Sequence, residues 1–392
     1  MLKVISEAPG TEYEKERPTL CFLTGPGRSG RSSVAVVWCG HNAIPGPFHG
    51  HSGTTFVVPL PPVAGGPKWA KVLVRHGGPD FDRRYFRSDK ELLSFLQGRI
   101  ARIPRIVEPP GCDILQSYVP GDTLDFRLGP GRSPSDGQIV QLGDFFRELI
   151  SVEPKEIETA GIRRVCTASR LPRNDDSADF LDRLVWFTEH QVFRGIGRNY
   201  ASLFAELGIR AKVFDVLRGL TGRLSRRPPA LLHGDLHKKN VIVDRHGKIW
   251  VIDWELAMIG DPLYDAVTLV HLMRLAPPEC HRFMRVWRCA AEHARPWSSH
   301  GWEKDLPVLL AYKRVQSVFT DVIRTANFLG GRTELVRSQL SRAAEEIHRV
   351  LRVARGPLRL AGIAVPSVEA VAAAYRNWFL DRQLGARLLG VA

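Results

Sequence analysis

The 392-residue chain has only six cysteines, and none of them stands in a C-x-x-C pair. Scattered thiols favour neither a structural zinc nor a disulfide framework, so Cys21, Cys39, Cys112, Cys166, Cys280 and Cys289 read as free side chains. No run of eighteen apolar residues occurs, which argues against a membrane-spanning helix. The start lacks the basic and apolar regions of a secretory leader, since Met1 to Arg17 carries four glutamates instead. A cytoplasmic protein is therefore expected. The net charge is +14, yet no basic run is interleaved with aromatics, so nucleic acid is not the expected partner. An anionic small molecule such as a nucleotide suits the charge better.

What is present is enough apolar material, 44% of residues, to fill the cores of two lobes. From about 20 to 118 the chain reads as short apolar strands broken by Gly/Pro loops. Strands are expected over 57–60, 69–75 and 114–118, with one helix over about 81–96. After 137 the period changes to near 3.6, with Ile139, Leu142, Phe145, Phe146, Leu149 and Ile150 on one face. Further helices are expected near 178–206, 210–224, 302–328, 334–354 and 367–380. Within this helical part, 241–243 and 249–252 are β-branched runs joined by Asp244-Arg245-His246-Gly247, the pattern of a hairpin. The fold class is α+β, with a strand-rich N-terminal lobe (1–126) and a mainly helical C-terminal lobe (127–392). The Gly/Pro/Arg/Ser-rich piece 128–136 marks the boundary.

Chemistry concentrates in His233-Gly234-Asp235-Leu236-His237-Lys238-Lys239-Asn240, followed by Val251-Ile252-Asp253-Trp254-Glu255, then Gly260-Asp261-Pro262 and Asp265. Asp235 and Asn240 are five apart on a turn-like segment, and Asp253 returns at the end of the second hairpin strand. Three oxygen-bearing side chains can thus converge on one hard cation and one hydroxyl, as phosphoryl transfer requires. Asp235 would accept or orient the acceptor proton, and Asn240 and Asp253 would hold magnesium. Taken singly, each is an ordinary turn residue.

Together, H-G-D-L-H-x-x-N, V-I-D-W-E and G-D-P-x-x-D closely resemble the aminoglycoside phosphotransferase and choline kinase superfamily. The resemblance implies a protein-kinase-like two-lobe fold and an ATP-dependent O-phosphotransferase acting on a small-molecule hydroxyl, with ATP and Mg²⁺ as cofactors. It makes Asp235 the catalytic carboxylate, His233 a support for its loop, Asn240 and Asp253 the metal ligands, and Asp265 structural. Glu255 is expected near the metal or the acceptor. Gly50 to Phe56 is similar to the family's G-x-S-N-x-x-F loop, so Ser52, Gly53 and Thr54 are expected at the phosphates, although Gly53 replaces the usual Asn. Arg75, in Lys71-Val72-Leu73-Val74-Arg75, is the expected cation at the α- and β-phosphates, with Lys71 on the same side of the strand as runner-up. Glu91 has the place of the helix carboxylate that pairs with that cation. Residues 114–121 resemble the hinge, where backbone groups near Ser117 and Val119 would bind the adenine edge.

A second phosphate motif competes. Gly25-Pro26-Gly27-Arg28-Ser29-Gly30-Arg31-Ser32 has P-loop spacing, but with Arg31 in place of lysine and no βα alternation downstream. It reads as a turn-rich segment. Acceptor recognition is expected in 150–225 and 270–355. Residues 270–392 carry 19 Lys/Arg against 10 Asp/Glu, which points away from a polycationic acceptor. Asp175, Asp176, Asp179 and Asp182 offer an acidic pocket or, more simply, a loop and helix cap. Trp287, Trp297, Trp302, Tyr312 and Phe319 are candidates for an aromatic acceptor pocket or for core. The alternative to an active kinase is a catalytically weak nucleotide-binding protein on the same fold.

Overall fold

In the computed structural model, the described residues are 19–25, 33–39, 48–49, 53–60, 66–75, 83–108, 114–129, 133–165 and 176–388. Up to residue 53, at 74–75 and at 385–388 they are described by backbone alone. The chain forms two compact units, one comprising Met1–Glu148, Lys155–Arg164 and Lys238–Leu256, the other Leu149–Pro154, Val165–His237 and Ala257–Ala392.

The first unit opens with an antiparallel hairpin, β1 (Thr19–Gly25) and β2 (Ser33–Cys39), in which Gly25 faces Ser33. The P-loop-like segment therefore joins two antiparallel strands. A working P-loop joins a strand to a helix whose N-terminus meets the phosphates, so this topology rules that reading out. The main sheet follows, with β3 (Phe48–His49), β4 (Gly53–Pro59), β5 (Trp69–Arg75), β6 (Ile106–Val107) and β7 (Leu115–Ser117) in the order β3-β4-β5-β7-β6. Every pairing is antiparallel. Val58 and Ala70 face each other in this register and are both buried.

The expected helix over 81–96 is shorter. It begins at Asp89 as α1 (Asp89–Leu96), because Ser88 takes an extended backbone and its Oγ accepts the Glu91 N–H at 3.1 Å, an N-cap. Phe86, just before it, is held in a β-bridge with Arg164 and cannot join the helix. Beyond the sheet come β8 (Asp122–Thr123), α2 (Leu124–Leu128), α3 (Asp136–Ser151) and α4 (Pro154–Thr159).

The second unit is mainly helical. The single helix expected over 178–206 is broken into α5 (Ser177–Phe187), a π-turn, a 3₁₀ turn and α6 (Ala201–Glu206), with Gly195 and Gly197 interrupting the run. After α7 (Lys212–Thr221) the chain enters four short strands: β9 (Ala230–Leu232), β10 (Val241–Val243), β11 (Ile249–Val251) and β12 (Met258–Gly260). β9 pairs with β12 in this unit, whereas β10 pairs with β11 and β8 in the first. The remaining helices are α8 (Leu263–Met273), α9 (Pro277–Ala294), α10 (Trp302–Gly330), α11 (Arg337–Val353), α12 (Arg355–Leu360) and α13 (Val368–Leu388). Phe193, Phe204, Phe214 and Phe319 form an aromatic core, with Phe214 and Phe319 stacked at 4.8 Å. Among the described residues no helix is long and apolar enough to cross a membrane.

Candidate active site

In the second unit, β9 delivers the chain into His233-Gly234-Asp235. Gly234 sits at φ +80°, a turn that side-chain-bearing residues resist. The turn is clamped by Asp265, in the first turn of α8. Its Oδ2 accepts the His233 N–H at 2.5 Å and its Oδ1 the Gly234 N–H at 3.0 Å. Burial pushes the Asp265 carboxyl above the usual range, opposed by His233, the two N–H donors and Lys313. The His233 ring is fully buried, and its Nδ1 lies 3.4 Å from the Asp235 N–H, which it can accept. Asp235 itself is open, with 37% of its side chain exposed, and its Oδ2 is 3.5 Å from His237 Nε2. A buried clamp below and an exposed carboxylate above make a rigid mount for a group that must meet a substrate.

A second cluster lies in the first unit. The β10–β11 hairpin is closed by Asp244, whose carboxyl accepts from the His246 and Lys248 N–H groups and from Trp250 Nε1 at 2.8, 2.9 and 3.0 Å. Burial works to raise this carboxyl, but the three donors outweigh it and hold it below the usual range. At the open end the Ile252 N–H donates to the Asn240 carbonyl at 2.9 Å. Asn240 thereby stands opposite Ile252, next to Asp253. Asp253 has φ +70°, a left-handed conformation that costs a non-glycine residue roughly 1–2 kcal/mol. Trp254 anchors the turn, with its indole N–H on the Val251 carbonyl at 3.1 Å and its buried ring edge-on to Phe145.

The donor set fits magnesium. One amide and one carboxylate at one hairpin end suit an ion that keeps several waters and completes its shell with phosphate oxygens. Among the described residues no group of three or more His, Cys, Asp or Glu side chains could form an all-protein cage.

The remaining expected residues are also in the first unit. Gly53 and Arg75 face each other at one end of β4–β5, so register alone brings the loop candidate to the strand cation. Ser52 lies outside the described residues. Thr54 is buried between His49 and Val74. Lys71 pairs with Val57 and Gln116 further along β5. Glu91 accepts from Arg163 at 2.6 Å, and this hydrogen bond holds its carboxyl below the usual range. Arg163 carried no sequence signal as a partner, being 72 residues away.

At the hinge, the Ser117 N–H donates to the Arg105 carbonyl at 2.7 Å, and the Tyr118 N–H to Trp69 at 2.9 Å. Among the described residues nothing accepts from the Val119 N–H. Gly121, at φ +148°, passes so close to β10 that a Cβ there would lie 2.5 Å from the Val243 carbonyl oxygen. The hinge is thus sewn to the hairpin that bears Asn240 and Asp253. Lys238, adjacent in the motif, pairs with Asp125, whose N–H returns to the Lys238 carbonyl at 3.2 Å.

Of the acceptor candidates, Asp176 caps α5, accepting the Ala178 and Asp179 N–H groups, and Asp179 pairs with Arg183 at 2.9 Å. Asp175 lies outside the described residues. Trp287, Tyr312 and Phe319 are core, Trp297 is exposed, and Trp302 lines a cavity at the far end of α8.

This combination, a clamped H-G-D turn and an Asn/Asp pair on the following hairpin, defines a phosphotransferase site. The chain belongs to the phosphotransferase enzyme family, whose model matches residues 82–295. The match contains Glu91, the hinge, the catalytic loop and Asp253, while Gly53 and Arg75 lie ahead of it. No curated protein sequence matches the chain. Among solved structures it is similar to a choline/ethanolamine kinase family protein from Mesorhizobium loti, at 14% identity over 86% of this chain and 93% of that one, TM-score 0.47. It is likewise similar to Plasmodium vivax ethanolamine kinase, at 14% identity over 80% and 82%, TM-score 0.49. A macrolide 2'-phosphotransferase from Brachybacterium faecium aligns at 15% identity over 88% and 91%, TM-score 0.42. Membership rests on the family model.

Proposed function

We propose that this chain is an ATP-dependent O-phosphotransferase that moves the γ-phosphate to a hydroxyl of a small molecule of aminoglycoside, nucleoside, amino-alcohol or sugar type. Residues 1–126 hold the nucleotide, and 127–392 carry the catalytic loop and acceptor site. The observation that supports it best is the strained, left-handed Asp253 held beside Asn240, because conformational strain of this kind persists where function needs it.

In this reading Asp235 accepts the proton of the acceptor hydroxyl, whose oxygen then attacks the γ-phosphorus in line. His233 and Asp265 keep that carboxylate in place. Asn240 and Asp253 hold magnesium, which when bound neutralises charge developing on the phosphates. Ser52, Gly53 and Thr54 cover the phosphates, Arg75 meets the α- and β-phosphates, and Glu91 steadies the helix behind them. The hinge donor is the Val119 N–H, since that of Ser117 is already committed.

The test is magnesium-dependent nucleotide consumption by the purified chain with a panel of aminoglycosides, nucleosides, choline-like amines, macrolides and sugars. One acceptor should stimulate consumption, and Asp235→Asn should keep ATP binding while losing turnover by about 10²-fold or more. Near-normal turnover in Asp235→Asn would remove Asp235 from the chemistry. The alternative, a catalytically weak nucleotide-binding protein, draws on the Glu91–Arg163 pair, which occupies the helix carboxylate. ATP binding without turnover on any acceptor would favour it.

A further inference from the structure

The second unit encloses a cavity of about 500 Å³ between α8, α9, α10 and α11, within the usual range for small-ligand sites of roughly 300–1,000 Å³. It lies at the C-terminal end of α8, lined there by His271 and Arg274, whereas Asp265 clamps the catalytic turn at the other end. Six and nine residues along a helix separate them by about 9 and 14 Å. The cavity is therefore not the phosphoryl-transfer site.

Its chemistry is two-sided. Leu275, Met284, Leu306, Leu310 and Val350 make an apolar wall. Facing it are Arg274, Arg314 and Arg349. Arg274 and Arg349 share one carboxylate, Glu346, which lies 2.6 Å from Arg349 Nη1. Arg314 has no such partner: its Nε is buried and makes no hydrogen bond among the described residues. A buried guanidinium donor left unmade costs desolvation that a ligand anion would recover.

The surroundings report the same excess of positive charge. His271, bonded to Ser317 Oγ at 2.9 Å, is pushed down to about 3 by burial and by Lys313, Arg314 and Arg274. Asp321, the one acidic residue of the lining, has its carboxyl pushed up by burial and so offsets little of that charge.

We propose that this cavity binds a small amphipathic anion, a single carboxylate or phosphate on an apolar body, with the anion on Arg314 and the body against Leu306, Leu310 and Val350. The proposal is independent of the acceptor's identity. The helices that line the cavity also support the catalytic turn: α8 carries Asp265, and α10 carries Lys313, which donates to Tyr264 Oη at 2.6 Å.

The test uses the full chain with decanoate, decyl phosphate and decanol, each below its micellar concentration, read by calorimetric titration. At least one of the two anions should bind once per chain, at least tenfold more tightly than decanol, and the better anion names the headgroup. Arg314→Met, which keeps the apolar stem and deletes an unpaired buried donor, should fold and lose that tenfold preference. Leu310→Trp should abolish binding by filling the cavity. A readout on the unaltered chain guards against misfolded variants: peptide-mapped alkylation of Cys280, which lines the cavity, should slow at least fivefold when the tighter anion saturates. Failure of both anions to bind, equal binding of decanol, unchanged preference in a folded Arg314→Met, or unprotected Cys280 overturns the proposal.

Discussion

Asp265→Asn probes the mount of the catalytic turn most directly. The wild-type carboxylate is fully buried and receives two backbone N–H groups, one on each oxygen. Asparagine has the same shape but a single acceptor, so one buried N–H is left facing an NH₂ group. An orphaned buried donor costs about 1–3 kcal/mol, and the surviving bond loses its charge assistance, roughly half its strength. The loss should total about 2–4 kcal/mol, a large share of the roughly 5–15 kcal/mol that stabilises a typical domain. Asp265→Ala orphans both donors and should cost more. Released from its clamp, the turn need drift only about 1 Å to cost on the order of 10² in turnover. Urea titrations followed by two probes, to check that unfolding is two-state, give the stability. Magnesium-dependent nucleotide consumption gives the activity. Wild-type values in Asp265→Asn, or an alanine variant no worse than the asparagine one, would refute the clamp.

Arg227 lies at the centre of a buried ion network, bidentate to Asp261 at 2.7 Å on both arms, with Nη1 on Asp305 at 2.8 Å and on the His300 carbonyl at 2.6 Å. Arg227→Met leaves two buried carboxylates unpaired and should destabilise by about 3–5 kcal/mol in a urea titration; a midpoint within error of wild type would mean the pair is not held as described. At Asp253 the left-handed backbone favours glycine, so Asp253→Gly should be more stable than Asp253→Ala by about 1 kcal/mol, while both lose magnesium-dependent nucleotide binding. Equal stabilities would remove the strain argument. His271 falls from 6.5 to about 3 on folding. The unfolded chain therefore binds a proton there that the folded chain refuses, and stability present above pH 6.5 is lost as pH drops towards 3. At about 1.4 kcal/mol per pKa unit the loss is at most about 5 kcal/mol. The stability of His271→Asn should fall less steeply with pH over that window than that of wild type, and parallel curves would be the contrary result.

Much of the candidate site was legible because its residues are close in sequence. Asp235, Asn240 and Asp253 fall within one turn and one hairpin, and the hairpin is announced by β-branched runs around Asp244 to Gly247. Strand β5 matched its expected span, and the three late helices matched within a few residues except that α13 runs on to Leu388. Two local signals misled. The segment before α1 has helical character, yet Phe86 is recruited into a bridge with Arg164. Pro277-Pro278 looks like a break, yet proline is welcome in the first turn of α9, where its missing N–H has no partner to lose.

By itself, then, the sequence determined the chemistry on offer: a carboxylate on a glycine turn, an Asn/Asp pair five and eighteen residues beyond it, and an α+β division of the chain. Only the tertiary structure decided which carboxylate is clamped and which is free, that Glu91 takes Arg163, that Ser117 spends its N–H on Arg105 while Val119 does not, and that Arg314 faces a cavity without a partner. The reason is physical. Motifs and periodicity record neighbours along the chain, whereas burial, hydrogen-bond commitment and charge balance depend on groups tens of residues apart that only folding brings together.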